Sequence, residues 1–205
     1  MTEALAFTAA EVAFVLREPV KAVKKALDEG PVEARLVPTA GGTVRAVEWR
    51  DLLYLFAARA LRDELTPKAR NEFYHALKNV PVEHAREVRF GRLCVQIDDL
   101  RAEVEARARE LAALAGKVEF RKDGEAVLKG TDIEVHRIAA LLSGGLAAEE
   151  VCEGYPSLTP DAVAVARAYA EAHPKPGRPY PRTTAKRALR GAGLEALDEV
   201  LDGEA

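Results

Sequence analysis

A mainly α-helical protein with short β-hairpins is the fold class that the sequence predicts, and three observations predict it. Apolar residues recur at spacings of three and four through most of the chain. A few short stretches instead alternate apolar and polar residues beside glycine-bearing turns. N-cap and stop signals follow one another closely enough to leave many short helices in place of a few long ones. With 205 residues, 48% of them hydrophobic and 31% charged, the chain has material for one large domain or two small ones, folded and not disordered.

The first stretch, FTAAEVAFVLREPVKAVKKALDEG, predicts two short helices. Thr8 with Glu11 three residues on forms a capping box, and Val12, Val15 and Leu16 fall on one face. Pro19 suits the first turn of a second helix, which buries Val20, Val23 and Leu27 and ends at Gly30. Lys21, Lys24 and Lys25 are left on the other side. Two β-runs around Thr39-Ala40-Gly41-Gly42 then predict a hairpin, so the order is that of a winged helix-turn-helix over residues 1–62.

A helical connector with one strand is expected over residues 63–116. Before it, WRDLLYLFAARALRDEL presents a wide apolar face. Thr66 and Pro67 cap and open a further helix carrying Phe73, Tyr74 and Leu77. EVRFGRLCVQI alternates like a single strand, with Gly91 read as a bulge. Asp98-Asp99 caps a helix striped by Leu100, Val104, Leu111 and Leu114.

Residues 117–173 predict a homeodomain-like three-helix domain preceded by a hairpin with Asp123-Gly124 at its tip. Ser143-Gly144-Gly145 and Tyr155-Pro156-Ser157-Leu158-Thr159-Pro160 are its two turns. Glycine ends the first helix, and Thr159 with Pro160 caps the third. Its expected core is Ile138, Leu141, Leu142, Val151, Leu158, Val163 and Ala166, with Tyr155 and Tyr169 as core or interface aromatics. Residues 174–205 form a tail of two halves. The first half has six Lys or Arg and no acid, and the second half, from Leu194, has five acids and no base.

The stretch from Gly124 to Pro174 resembles an antitoxin family catalogued as domain of unknown function 433. Its pieces are Gly130-Thr131-Asp132-Ile133-Glu134-Val135, Gly145 through Glu149-Glu150-Val151, Tyr155-Pro156-Ser157-Leu158-Thr159, and Ala166-Arg167-Ala168-Tyr169-Ala170. Asp132 and Glu134 replace the family's usual Arg and Pro, and Ala147 its usual small hydroxyl. The resemblance implies a type II toxin–antitoxin module of VapBC-like kind, in which the chain inhibits a PIN-like ribonuclease toxin and represses its own operon. The first sixty residues resemble the MerR-type winged helix through Thr8, Glu11-Val12-Ala13, Arg45, Trp49, Asp51-Leu52 and Leu55.

On this reading operator DNA meets Arg17, Lys21, Lys24 and Lys25 of the helix-turn-helix and Arg45 of the wing. The toxin meets Arg178, Tyr180, Arg182, Lys186, Arg187 and Arg190, whose guanidinium forks suit the acidic metal site of such a nuclease, and Leu194 and Leu197 beyond them. A homodimer is expected from operator symmetry. A stand-alone MerR-like regulator without a toxin is the alternative, and a nuclease in its own right the enzyme alternative.

Several classes are disfavoured. The net charge of −3 advertises no global basic excess, so any DNA-binding face is local. Cys94 and Cys152 stand outside any Cys-x-x-Cys pattern and are expected as ordinary buried thiols in a reducing cytoplasm. His75, His84, His136 and His173 lack metal-ligand spacing, and Asp98, Asp99 and Glu103 are explained by capping. No phosphate loop or nucleophile motif appears, so no enzyme and no cofactor is expected. No apolar run approaches the roughly 20 residues that cross a bilayer, and the acidic N-terminus is unlike a signal peptide.

Overall fold

The computed structural model describes residues 6–39, 42–175, 177 and 180–183. The chain divides into two compact units. One is Met1–Ala113 with Glu171–His173, and the other is Leu114–Ala170 with Pro174–Ala205. Among the described residues there are eight helices and seven short strands, every strand pair antiparallel.

The first unit opens with strand β1 (Ala6–Thr8), then helices α1 (Ala9–Leu16) and α2 (Val20–Glu29). The capping box at Thr8 is complete: its hydroxyl accepts from the Glu11 N–H, and the Glu11 carboxylate accepts from the Thr8 N–H at 2.7 Å. Arg17, with φ of 53°, closes α1 in the left-handed region, and Pro19 stands at the N-cap of α2, one residue before the first turn. Strands β2 (Arg35–Thr39) and β3 (Gly42–Glu48) form the expected hairpin. β3 also pairs with β1, Phe7 opposite Val47, so the sheet order is β1-β3-β2.

Helices α3 (Trp49–Ala60) and α4 (Pro67–Lys78) follow, the second capped by Thr66. The stretch expected as one bulged strand is instead a second hairpin, β4 (Glu87–Phe90) and β5 (Leu93–Gln96), with Phe90 opposite Leu93. Gly91, at φ of 55°, supplies the left-handed turn residue that a two-residue loop demands, so the glycine reverses the chain where a bulge would only bend it. This correction carries another. Cys94, expected to be buried, is exposed, because the reversal turns it to the outer face of the hairpin; Cys152 is half-buried. Helix α5 (Asp98–Ala115) buries Val104 and Leu111. The core of this unit is continuous from Phe7 and Val12 through Leu52 and Leu53 to Phe73, Leu77, Ile97 and Leu111. Buried residues from Phe7 to Ala57 and from Leu65 to Leu111 therefore share one core.

The second unit begins with hairpin β6 (Val118–Phe120) and β7 (Ala126–Leu128), turned at Gly124 with φ of 84°. Helices α6 (Val135–Ser143), α7 (Ala148–Gly154) and α8 (Pro160–Ala172) follow. Ile138, Leu141, Val151, Leu158, Val163 and Ala166 are buried together as expected, Tyr169 with them, while Leu142 and Tyr155 are partly buried against that cluster. Ala147 offers no capping oxygen, yet Glu150 accepts from its N–H at 2.8 Å, so half of a capping box survives. Thr159 accepts from the Ala162 N–H at 3.2 Å and starts α8.

Candidate nucleic-acid and partner interfaces

The sequence singled out two surfaces, one in each unit. In the first, Lys21, Lys24 and Lys25 are all exposed on α2, because Val23 and Leu27 take the buried side. Lys25 is turned toward Glu29, 3.9 Å away. Neither Lys21 nor Lys24 has a carboxylate partner among the described residues. Arg17 is exposed at the bend between α1 and α2.

Arg45 on β3 has a different role from a free wing cation. Its guanidinium pairs with the Asp28 carboxylate and donates to the Leu27 carbonyl at 3.2 Å. It therefore ties the hairpin to the last turn of α2 and satisfies one of the carbonyls that every helix end leaves open. Asp28, in the last turn of α2, is the partner that aims Arg45. The sequence signal for it was weak: one acid in the last turn of a helix followed by a hairpin.

In the second unit, the start of the tail lies along α6. Lys175 Nζ sits 2.5 Å from Glu125 and 2.8 Å from the Tyr180 hydroxyl. That hydroxyl lies 3.4 Å from Glu125 and also hydrogen-bonds to Glu134. Arg137 donates to the Pro181 carbonyl at 2.9 Å, one turn further along α6. At the end of α6 the Arg182 backbone crosses so close to Gly144 that a Cβ there would lie 1.6 Å from the Arg182 oxygen.

The electrostatics follow from these contacts. The Tyr180 hydrogen bond and then the Arg121 guanidinium, 2.9 Å away, hold Glu134 below its ordinary range. Burial works against the charge on Lys175, but Glu125 and Tyr180 outweigh it and raise its pKa. Arg121 gathers Asp123, Asp132 and Glu134, and its own pKa rises with them, the Asp123 hydrogen bond contributing most. Asp132 and Glu134 are thus two of the acids of this network, beside Asp123 and Glu125.

Of the residues expected to meet a toxin, Tyr180 is half-buried in the network and the Arg182 side chain is exposed. Arg178, Lys186, Arg187, Arg190, Leu194 and Leu197 lie outside the described residues. Among the described residues no group of His, Cys, Asp and Glu is arranged to hold a metal ion, and no helix is long and apolar enough to cross a membrane.

The class defined so far is a mainly helical protein of two units, the second a hairpin followed by three helices. Residues 121–170 match the family described as "Protein of unknown function (DUF433)". The matched segment runs from Arg121 through α6 and α7 into α8, within the second unit. No curated protein matches the chain. A crystal structure of Rv2018 from Mycobacterium tuberculosis is similar over 78% of this chain and 95% of that one, with 15% identity and a TM-score of 0.33; a likeness of that degree carries no argument.

Proposed function

We propose that this chain is the antitoxin of a type II toxin–antitoxin module, inhibiting a PIN-like ribonuclease through its tail and repressing its own operon through an N-terminal winged helix-turn-helix. The observation that carries the reading is the match of residues 121–170, whose Gly-Thr, Glu-Glu and Tyr-Pro-Ser-Leu-Thr pieces fall on the turns and caps of a three-helix unit. The order of β1, α1, α2, β2 and β3, with Lys21 and Lys24 exposed and the hairpin tied to α2 by Arg45, supports the DNA-binding half. Pro181 and Arg182 meet α6, so in this reading they aim the tail, and inhibition belongs to the residues beyond Thr183.

The test expresses the adjacent reading frame with the full chain, with the chain ended after Thr183, and with neither. Growth rescued by the full chain alone fits the proposal. Rescue by both forms removes the tail from inhibition. A harmless neighbour favours the alternative, a MerR-like regulator without a toxin.

A further inference from the structure

The exposed surface of the first unit includes a trough of about 810 Å³ between α2, the end of α3 and the start of α4. Small residues make it. Ala22 and Ala26 on α2 face Ala58 on α3, and three alanines leave the floor open down to Leu55 and the Tyr54 ring. The rim is cationic. Arg59 is already engaged by Glu18 at 2.5 Å, but Arg62 and Arg70 have no carboxylate partner among the described residues. Arg70 stands close enough to the Tyr54 hydroxyl for its charge to lower that phenol's pKa against the larger effect of burial. An apolar floor between unpaired arginines selects an occupant with apolar residues on one face and carboxylates beside them.

One segment of the chain has that chemistry. From Leu194 to Ala205 there are five acids and no base, and Leu194, Leu197, Val200 and Leu201 recur at spacings that suit one face of a helix. We propose that the trough receives residues 194–205 of a second copy of the chain. A second copy is the occupant because reciprocal exchange of one segment into one trough closes a two-fold dimer, whereas a single one-way contact would leave both a trough and a segment unmatched. The proposal stands on the trough and the acidic segment and does not require the antitoxin reading, from which it withdraws Leu194 and Leu197.

The test uses the full chain with the photo-crosslinking residue p-benzoylphenylalanine at position 197, in an equal mixture of natural-abundance and ¹⁵N-labelled copies. Irradiation is expected to give crosslinks of mixed isotope composition between 194–205 and residues 22–30 or 54–71. Reversing the rim charges in Arg62→Glu/Arg70→Glu is expected to lower their yield about tenfold. Arg62 is exposed and Arg70 half-buried, and an unchanged circular dichroism spectrum is expected to accompany that loss. Should the double variant unfold, Asp198→Lys/Asp202→Lys tests the same pairs from the other side. Crosslinks only within single copies, crosslinks elsewhere, or yields indifferent to both charge reversals would overturn the proposal.

Discussion

Gly144 and Arg182 meet backbone to backbone at the end of α6, with no room between them for a side chain. Gly144 has an ordinary φ of −81°, so its glycine is required by this approach and not by backbone conformation, whereas its neighbour Gly145 lies at φ of 88°. The two glycines of one turn thus serve different needs.

Their variants are expected to separate those needs. Gly144→Ala should leave α6 intact and push residues 180–183 away, speeding tryptic cleavage after Arg182 several-fold at an unchanged melting temperature. Gly145→Ala should cost about 1 kcal/mol of stability, through strain at positive φ. Equal cleavage in Gly144→Ala and the parent would show that the crossing does not hold the segment.

Glu134 gives the same contact a pH dependence. Its pKa is lowered in the folded chain, chiefly by Tyr180, so its stabilisation is fully present above about 4.5 and is lost as pH falls through the lowered value. Protection of the Arg182–Thr183 bond, followed after brief acid exposure with an acid-active protease, should fall in that window. Glu134→Gln should remove the dependence, and a parallel loss in this variant would assign the effect to other groups.

A buried polar pair organises the first unit. The Tyr74 hydroxyl donates to Asp51 at 3.0 Å, and Lys78 sits over the Tyr74 ring. Tyr74→Phe would leave the Asp51 carboxylate short of a donor and is expected to cost roughly 1–3 kcal/mol in urea unfolding. Burial raises the Asp51 pKa above 3.8, so here the folded state binds the proton more tightly. Stability from this group should therefore increase as pH falls from the raised value toward 3.8 and be lost as pH rises through it. Asp51→Asn should flatten that slope relative to the parent.

The proposed DNA-binding role can be tested through Asp28. If Lys21 and Lys24 meet phosphates, replacing each by Ala should lower the salt slope of binding by about one. Removing Asp28, an acid on the same helix, would tighten binding if Arg45 acted as a free cation. Because the pair ties the β2–β3 hairpin to α2, the proposed role predicts that Asp28→Ala weakens binding, as Arg45→Ala is expected to. Tighter binding by Asp28→Ala in a fluorescence anisotropy titration would reverse that assignment.

Elements whose causes are local were legible from the residues alone. The Thr8–Glu11 box, the Thr66-Pro67 and Thr159-Pro160 helix starts, the Asp123-Gly124 tip and the three-helix break pattern each depend on groups within a few residues of one another. The hairpin at 87–96 was the exception among local features. Gly91 serves equally for a bulge or a reversal, and the alternation on either side fits one strand or two.

By itself, then, the sequence determined where helices start and stop, which faces are apolar, and that a DUF433-like segment sits on three short helices, because capping and periodicity are short-range. Only the tertiary structure decided which distant groups meet. Arg45 finds Asp28 across 17 residues, Arg137 reaches Pro181 across 44, and Lys175 reaches Glu125 across 50. An exposed base and an exposed acid attract with little selectivity in water, so composition names the candidates, and the packed backbone chooses the pairs.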